Sequence, residues 1–420
     1  MKLYGRWPWP PLFAQTNAPC SFIARRPRSA ARTVKVGLQK RTMNQTIRSL
    51  FPITENYIYM NHAAVSPLST RVRDAMSGIV DDLTRHGTAH YDAWYRTYEQ
   101  VRSSAARLVN AQPHEIAFMQ NTSAAISTVA NGLDLQEGDN VVTCSVEFPA
   151  NIYPWLRLGE ERGVKMKLAP ERDGRIDPDE LLSLVDDRTR VLTVSWVQFA
   201  SGFRSDLARI GKACRERGVF FMVDAIQGLG ALKLDVERDY VDAFAADAHK
   251  YLLASEGTTL LYVSDRAIDR VKPTVVGWTS VKDYEQFSHG PFDYKLDYRD
   301  GALRFECGSL NTVGVYGLGA ALDLFIEVGA EKIEKYVLSL SDYLAVRLAS
   351  KGYEVIGPRN PGETSAIVTC THEKHSPGNL YRLLREKTII TAPRMKRLRI
   401  SPHFYNTREE IDALVEALPS

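Results

Sequence analysis

The chain has 420 residues, 44% of them hydrophobic and 25% charged, which is ordinary for a globular protein with room for more than one domain. Its 53 basic and 50 acidic side chains leave a net charge of only +3, so charge gives no argument for nucleic acid as a partner. No uninterrupted apolar run has membrane-spanning length, and we expect no membrane association. The cysteines are odd in number and lack the spacing of a metal site or a disulfide framework, which favours a reducing compartment: Cys20, Cys144, Cys214, Cys307 and Cys370.

The N-terminal segment differs from the rest of the chain. Residues 1–54 contain no Asp or Glu, and the stretch "ARRPRSAARTVKVGLQKR" is dense in Arg and Lys. Such a leader resembles an organelle transit peptide, which would place the protein in an organelle matrix. The alternative, which we favour, is a start assigned too early, with Met43 as the true initiator and a cytoplasmic protein. In either case we expect residues 1–43 to be disordered and to lie outside the fold.

From about residue 70 the chain alternates between helical and strand-like patterns. Segments such as "STRVRDAMSGIVDDLTRHG" and "LARIGKACRERG" have apolar residues at helical spacing. Between such segments stand short β-rich runs, for example "EIAFM", "NVVTCS", "RVLTVSWV", "VFFMVDA" and "TTLLYVS". Steady alternation of strand and helix predicts a mainly parallel sheet covered by helices. Such a sheet binds its ligands beyond the carboxyl ends of its strands.

After about residue 312 the pattern changes. Two helices are predicted first, "GVYGLGAALDLFIEVG" and "EKIEKYVLSLSDYLAVRLASKG". Short strands and two further helices follow, which together indicate a small α+β layer. We therefore predict an α/β protein with a large, mainly parallel domain over residues 44–312 and a small C-terminal α+β domain over residues 313–420.

Two polar residues stand where buried strands end. Asp224 follows the apolar run "VFFMV", and Lys250 closes the run "FAADAHK". A strand-end Asp often caps the next turn, and a lysine here could open a helix and point to solvent. A buried ammonium, however, is costly unless it is paired or takes part in chemistry. A carboxylate and a lysine in this order are also what pyridoxal phosphate needs, because its aldehyde binds a lysine as a Schiff base and its ring nitrogen needs an acidic partner.

Motifs along the chain carry a resemblance to a known family. They are "YMNHAAVSPL", "NTSAAI", "EFPANIYPW", "VDAIQGLG", "ADAHKYLL", "EGTTLLY", "FECGSLNT" and "LRISPHFYNT", in this order. From about Tyr57 to the C-terminus the chain resembles the class V aminotransferase family of fold type I pyridoxal phosphate enzymes. That family includes cysteine desulfurases, selenocysteine lyases, kynureninases and isopenicillin N epimerase-like proteins. The resemblance implies that Lys250 holds the cofactor and that Asp224 keeps its ring nitrogen protonated.

The resemblance also implies contacts to the rest of the cofactor. Thr122 and Ser123, at the start of a helix, match the turn that holds the phosphate, although plain helix capping would use the same groups. Phe148 matches the residue that covers the pyridine ring, and would otherwise be a core residue. Gln227 matches the contact to the phenolic oxygen and His249 a phosphate contact, against the alternatives of a helix-surface amide and a structural histidine.

A third group of residues matches positions that act between two subunits. Ser309 and Asn311 in "CGSLNT" match a segment that reaches the phosphate of the neighbouring subunit's cofactor. The resemblance therefore implies a homodimer with shared active sites. Trp278 in "GWTS" is a further candidate for the same region.

The substrate is implied by an arginine near the C-terminus. Arg399 in "LRIS" matches the arginine that pairs with the α-carboxylate of an amino acid, because a planar, always-charged fork fits a carboxylate at two points. Arg394 and Arg397 lie nearby and are alternatives from sequence alone.

The chain departs from the desulfurase pattern at several positions. Desulfurases need a nucleophilic cysteine on a mobile loop before the carboxylate arginine, but "TAPRMKRLRIS" contains none, and Cys370 lies in an apolar strand. Asp247 stands where desulfurases often have a serine that contacts the phosphate. An Asn common in desulfurases is replaced by Gln198 or Phe199. These departures argue against a cysteine-persulfide mechanism.

We therefore predict a pyridoxal-phosphate-dependent enzyme of α-amino acids, with transamination as the first choice. The alternative is a lyase or epimerase, which needs one more acid or base, and His62 in "MNHAA" is the candidate for that group. A non-catalytic cofactor-binding protein is a third reading, but retention of Lys250, Asp224 and Arg399 argues against it.

Overall fold

The computed structural model describes residues 43–284 and 294–420. These residues fall within one compact unit, Thr42–Ser420. The expectation of a disordered leader over residues 1–43 lies outside the described residues except at Met43, where a short helix begins.

The described residues form eleven α-helices and fifteen β-strands, joined in places by single turns of 3-10 helix. The helices are α1 (Met43–Arg48), α2 (Thr70–His86), α3 (Tyr91–Val109), α4 (Thr122–Gly132), α5 (Tyr153–Arg162), α6 (Pro178–Ser183), α7 (Leu207–Glu216), α8 (Thr312–Val328), α9 (Ala330–Ser350), α10 (Pro377–Glu386) and α11 (Arg408–Ala417). The strands are β1 (Ile58–Tyr59), β2 (Ile116–Met119), β3 (Asn140–Cys144), β4 (Lys165–Ala169), β5 (Glu171–Arg172), β6 (Arg175–Ile176), β7 (Thr189–Ser195), β8 (Phe220–Asp224), β9 (Ala243–Asp247), β10 (Thr259–Val263), β11 (Glu354–Ile356), β12 (Val368–Thr371), β13 (Ile389–Ile390), β14 (Ala392–Arg394) and β15 (Arg397–Ile400).

A seven-stranded sheet in the order β2-β10-β9-β8-β7-β3-β4 forms the centre of the fold. Strand β10 runs antiparallel to both of its neighbours, and the other pairs are parallel. The predicted α/β architecture with a mainly parallel sheet is confirmed. Because six strands share one direction, the carboxyl ends of β2, β3, β7, β8 and β9 meet at the same edge of the sheet.

The strands at the centre of this sheet are buried on both faces. All five residues of β8 are buried; Phe220 and Met222 pack into one hydrophobic cluster, and Phe221 and Val223 pack into another. Neighbouring side chains of a strand point to opposite faces, so helices must cover both sides of the sheet. Each fully buried aromatic or aliphatic side chain of this kind contributes roughly 2 kcal/mol. The strand ends, and any polar groups on them, are therefore held by a rigid core.

A smaller antiparallel sheet in the order β11-β12-β15-β14 lies in the C-terminal part of the chain. It packs with α9, α10 and α11 around a third hydrophobic cluster. The two main sheets fall on either side of the boundary expected near residue 312, while the division into domains 44–312 and 313–420 stays a prediction. Among the described helices, only α8 and α9 taken together have the length and apolar composition of a membrane span, and they meet at an angle of 84°.

Candidate active site

A cavity of about 360 Å³ opens at the carboxyl edge of the central sheet. The segments that follow β2, β3, β7, β8 and β9 each contribute to its wall. Their side chains in the wall include Thr122, Phe148, Phe199, Asp224 and Lys250. Five separate strands thus bring residues up to 128 positions apart in the chain to one place, which is where ligands bind in sheets of this kind.

Lys250 lies in the turn after β9 and is only 8% exposed. Its Nζ stands 5.5 Å from the centroid of the Phe148 ring, and its backbone carbonyl accepts a hydrogen bond from the hydroxyl of Ser66. Burial lowers the pKa of Lys250 to about 8, with the cation of Arg399 acting in the same direction and the carboxylate of Asp224 against it. A part of the Lys250 side chains is therefore uncharged and nucleophilic near neutral pH.

Asp224 is the last residue of β8 and is 2% exposed. Its carboxylate accepts a hydrogen bond of 3.1 Å from the backbone N–H of Ile226. Burial raises the pKa of Asp224 to about 7, against the effect of this hydrogen bond and of Lys250. A buried carboxylate of this kind favours a partner that brings a positive charge or a shared proton into the cavity.

The start of α4 forms one end of the cavity. The helix is capped by Asn121, not by Thr122 or Ser123 as in the alternative interpretation; the side chain of Asn121 accepts a hydrogen bond of 2.8 Å from the backbone N–H of Ala124. The hydroxyl of Thr122 accepts a hydrogen bond of 3.2 Å from the backbone N–H of Asp247, and Ser123 lines the cavity. The wall therefore holds the positive end of a helix together with two hydroxyl groups, which suits a phosphate.

The unexpected carboxylate of Asp247 also faces this cavity. It is 4% exposed and lies 3.0 Å from Nδ1 of His249, although the two atoms do not have hydrogen-bond geometry. A carboxylate beside an anion site favours a cationic or hydrogen-bonding neighbour, and His249 is the residue placed to serve as one. His249 and Asp247 both lie in the wall of the cavity.

A buried carboxylate that the sequence analysis missed supports the aromatic wall. Glu147 precedes Phe148 and accepts hydrogen bonds from the backbone and hydroxyl of Ser195, and from the amide of Gln198 at 2.8 Å. It ties the segment after β3 to the segment after β7, so that the rings of Phe148 and Phe199 meet edge to face at 5.3 Å. A lone Glu directly after an apolar strand is the signal that could have found it, because buried carboxylates need several donors.

Gln227 lies in the turn after β8 and is 4% exposed. Its amide nitrogen donates 3.1 Å to the carbonyl of Ala63, and its side-chain oxygen has no hydrogen-bond partner among the described residues. Both Gln227 and Ala63 line the cavity. The position is buried, unlike the helix-surface amide that was the alternative.

The structure separates the three candidate arginines. Arg399 on β15 is 1% exposed; its Nη1 donates 3.0 Å to the carbonyl of Phe199, while Nε and Nη2 have no partner among the described residues. Arg394 is exposed and also lines the cavity. Arg397 lies 3.6 Å from the carboxylate of Glu171 and is not in the wall. Arg399 therefore presents two buried, unused donors, which is the arrangement that a carboxylate needs.

His62 lies behind the cavity rather than in its wall. It is fully buried, its Nδ1 lies 2.8 Å from the carbonyl of Ser401, and its Nε2 lies 2.7 Å from the hydroxyl of Tyr405. Burial lowers the pKa of His62 to about 4. The expectation that His62 supplies a second acid or base is corrected by this placement, because both ring nitrogens are already bound.

The residues expected to act between subunits do not line this cavity. Ser309 is exposed, and Asn311 caps α8 by accepting 3.1 Å from Gly314. Trp278 is 44% exposed and meets Tyr284 edge to face at 5.6 Å. Their roles at a neighbouring subunit stay predictions.

Among the described residues, no cysteine lies in the wall of the cavity. Cys370 is fully buried in β12, and burial raises the pKa of its thiol to about 12. The turn between β14 and β15, which precedes Arg399, consists of only two residues, Met395 and Lys396. No long loop is available there to carry a nucleophile to the cavity.

Comparison with known proteins identifies the family. A family model described as Aminotransferase class-V matches residues 58–414. This chain belongs to the class V aminotransferase family. It is 31% identical over 397 residues to a probable cysteine desulfurase of Methanothermobacter thermautotrophicus, with 89% of this chain and 97% of that one covered. It is 29% identical to the uncharacterized aminotransferase YcbU of Bacillus subtilis, with 88% and 96% covered.

Solved structures agree with this membership. The cysteine desulfurase CsdA of Escherichia coli matches with a TM-score of 0.79 and 25% identity, over 90% of this chain and 98% of that one. A variant of C-DES with glycine covalently linked to its pyridoxal phosphate matches in fold with a TM-score of 0.82 and 24% identity, over 88% and 98%. The fold of this enzyme agrees with these structures, and membership of the class V family makes it a pyridoxal-phosphate-dependent enzyme.

The residues in the wall fit pyridoxal phosphate. The start of α4 offers an anion site at one end, Asp224 stands buried with a pKa near neutrality, and the ring of Phe148 is 43% exposed toward solvent-filled space. The side-chain oxygen of Gln227 and two donors of Arg399 lack partners among the described residues. Buried polar atoms are rarely left without partners, and these two side chains line the cavity, so both are suited to contact a bound molecule.

Proposed function

We propose that this enzyme is an aminotransferase that moves the amino group of an α-amino acid to a keto acid. The observation that carries the proposal is the pairing of one buried amine, Lys250, with the two unused donors of Arg399 in a single cavity. Only these two groups and the cofactor are required for transamination. A two-base epimerisation is not supported, because His62 lies outside the cavity.

Four residues would hold the cofactor in this site. Thr122 and Ser123 at the start of α4 would bind its phosphate, Phe148 would cover one face of its ring, and Asp224 would keep the ring nitrogen protonated. Bound in this way, the cofactor accepts the electrons released when a bond to Cα of the substrate breaks. Gln227 and His249 are further contacts in the same wall.

The protein's own part in the reaction is positioning and proton transfer. Arg399 would orient the substrate by binding its α-carboxylate through Nε and Nη2. Nζ of Lys250 would take the proton from Cα and deliver it, on the same face, to the carbon of the cofactor that receives the amino group, since it is the one amine that the described residues place in the wall of the cavity. The pKa of Lys250, about 8, suits a base that must be uncharged near neutral pH.

The test is to follow the absorbance of the bound cofactor during a single addition of amino acid. Transamination converts the cofactor to its amine form, so the yellow colour should fade and return only when a keto acid is added. Lys250→Ala should bind cofactor without a covalent bond and lose activity by several orders of magnitude. A protein that stays colourless after reconstitution would instead favour a non-catalytic role.

A second candidate is β-elimination from a sulfur-containing amino acid, because curated relatives that match most of the chain are named cysteine desulfurases. Elimination needs no cysteine of the protein and would release sulfide or a thiol while the yellow colour persists without keto acid. The variant Cys370→Ser distinguishes direct elimination from a mechanism that forms a persulfide on Cys370. If this variant binds the cofactor normally but no longer releases sulfide, the persulfide mechanism is indicated.

We also propose that the active enzyme is a homodimer and that it works in the cytoplasm. Support for the dimer is that Ser309 is exposed and lies outside the wall of its own cavity. Support for a reducing compartment is that the four cysteines in the described residues are all free: Cys144, Cys214, Cys307 and Cys370.

A further inference from the structure

The hairpin formed by β14 and β15 carries three arginines on one face. Directly opposite residues of an antiparallel pair point to the same side, and the register pairs Arg394 with Arg397 and Ala392 with Arg399. Since alternate residues of a strand share a face, all three guanidinium groups project from the same side of the hairpin. Like charges placed opposite each other are unfavourable, so the arrangement calls for anions nearby.

The three charges are compensated very differently. The guanidinium group of Arg397 lies 3.6 Å from the carboxylate of Glu171. In the function proposed above, Arg399 binds the α-carboxylate of the substrate. Arg394 donates 2.8 Å to the carbonyl of its neighbour Pro393, and no carboxylate in residues 43–284 or 294–420 lies within ion-pair distance of it. Arg394 is therefore a cation in the wall of the cavity whose charge the described residues leave unpaired.

The charge of Arg394 acts on the reacting groups. It lowers the pKa of Arg399 and of Lys250, in both cases after the larger effect of burial. Arg394 and Arg399 lie on the same face of one hairpin, so their charges oppose each other. An amino acid with one carboxylate would compensate the charge of Arg399 and leave the charge of Arg394 without an anionic partner.

The turn that holds Arg394 is itself unfavourable. Met395 and Lys396 both have positive φ, 44° and 63°, a region that side chains other than those of Gly, Asn and Asp rarely adopt. Strain of this kind, held by the surrounding structure, is concentrated at binding and catalytic sites. It fixes Arg394 beside β15, on the side of the hairpin that faces the cavity.

We propose that Arg394 selects amino acids that carry a second carboxylate, so that the substrates are acidic α-amino acids and their dicarboxylic keto acids. The inference deepens the proposed function, on which it rests for the α-carboxylate at Arg399. Arg399 then binds the α-carboxylate, and Arg394 binds the carboxylate of the side chain. Two cations in the wall are matched by two anionic groups of one substrate.

The first experiment compares acidic amino acids with their amides. For the holoenzyme, kcat/KM for glutamate should exceed that for glutamine, and likewise for aspartate and asparagine, by about tenfold or more, because a site built for a charged group rejects an analogue without it. Arg394→Gln should reduce this preference by about tenfold or more. Arg397→Gln is the matched control: it removes an arginine from the same hairpin but outside the wall, and should preserve the preference.

A second measurement does not depend on turnover. Glutarate, which has two carboxylates, should raise the melting temperature of the holoenzyme more than butyrate does. The difference should vanish in Arg394→Gln and persist in Arg397→Gln. This measurement remains a valid test of Arg394 even if the enzyme does not catalyse transamination, because it reports only whether the cavity binds two carboxylates through Arg394.

Three outcomes would overturn the proposal. One is equal use of acidic amino acids and their amides by the unchanged enzyme. Another is an equal loss for both classes in Arg394→Gln. The third is release of the cofactor from Arg394→Gln, monitored by the absorbance of the cofactor during gel filtration. Arg394 would then bind the cofactor rather than the substrate.

Discussion

Burial drives two opposite charges toward neutrality at the centre of this site. The pKa of Asp224 is raised to about 7 and that of Lys250 is lowered to about 8, in each case chiefly by removal from water. Each residue favours the charged form of the other, but that attraction is smaller than the loss of hydration. The site thus holds an acid and an amine that both change protonation near neutral pH, as acid–base catalysis requires.

The stability of the cofactor-free protein should record the burial of Asp224. Its pKa rises from 3.8 in an unfolded chain to about 7 in the folded protein, so the folded state binds more protons between these values and loses stability as pH increases. The variant Asp224→Asn has no titrating carboxyl at this position and should not lose stability in this way as pH increases. On going from pH 5 to pH 8, the variant should gain on the order of 2 kcal/mol relative to the unchanged protein.

Urea unfolding of both cofactor-free proteins at the two pH values measures this difference. Glu373→Gln, at an exposed position, controls for the substitution of an acid by an amide. If the gap between Asp224→Asn and the unchanged protein is the same at pH 5 and pH 8, Asp224 does not carry the pH dependence.

Arg399 provides a second prediction at the scale of one residue. Arg399→Lys keeps a positive charge but loses the planar fork, so kcat/KM for amino acids should fall by about 10- to 100-fold. Amines without a carboxylate should be affected much less, since they do not use the fork. Steady-state kinetics with matched amino acid and amine pairs measures the difference, and an equal loss for both would place the carboxylate elsewhere.

At the scale of elements, two hairpins with two-residue turns have very different sequences. The turn between β5 and β6 consists of Asp173 and Gly174, with φ of 51° and 82°. Such residues suit a turn in which both φ values are positive. The turn between β14 and β15 has the same signs of φ but uses Met395 and Lys396. The second hairpin therefore holds its shape against local preference.

Replacing Met395 and Lys396 by Asn and Gly should relieve this strain. The double variant Met395→Asn, Lys396→Gly should be more stable by about 1 kcal/mol, measured by urea unfolding. The arginines on the hairpin are unchanged, so kcat/KM measures separately whether the rigid turn also matters for binding. A loss of stability would show that the side chain of Met395 or Lys396 contributes more than the turn costs.

At the scale of the whole molecule, the proposed homodimer has active sites that are shared between its two subunits. Ser309 and Asn311 lie outside their own cavity wall, and Asn311 already serves as the cap of α8. An exposed Ser309 is free to contact a second copy of the chain. If the two cavities are completed by such contacts, each active site depends on both subunits.

Mixed dimers test this dependence. Lys250→Ala should be inactive, and Ser309→Trp should be strongly impaired by blocking the neighbouring cavity. After unfolding and refolding together, an equal mixture should regain about a quarter of the normal activity, because half of the dimers are mixed and one site in each is intact. The absence of recovery in a mixture shown to contain mixed dimers would mean that each subunit works alone.

The sequence by itself determined the class of fold and the family, and it picked out residues that the structure brings to one cavity. Runs such as "VFFMV" are apolar without interruption because the strands are buried on both faces, and Asp224 and Lys250 mark where two such strands end. These are local signals, and the order of motifs added the family. The sequence placed Thr122 and Ser123 at the start of a helix, and the structure confirms that helix, although its capping residue is Asn121.

Only the tertiary structure decided which of several similar side chains face the cavity. The motif in the sequence favours Arg399 over its neighbours Arg394 and Arg397, but only the structure shows that Arg397 lies outside the wall, beside Glu171 from a distant part of the chain. The sequence suggested that His62 could act as an acid or base, but in the folded protein both of its ring nitrogens lie within hydrogen-bond distance of Ser401 and Tyr405. Partners of this kind are separated by hundreds of residues, so the contacts that permit or exclude a role exist only once the chain has folded.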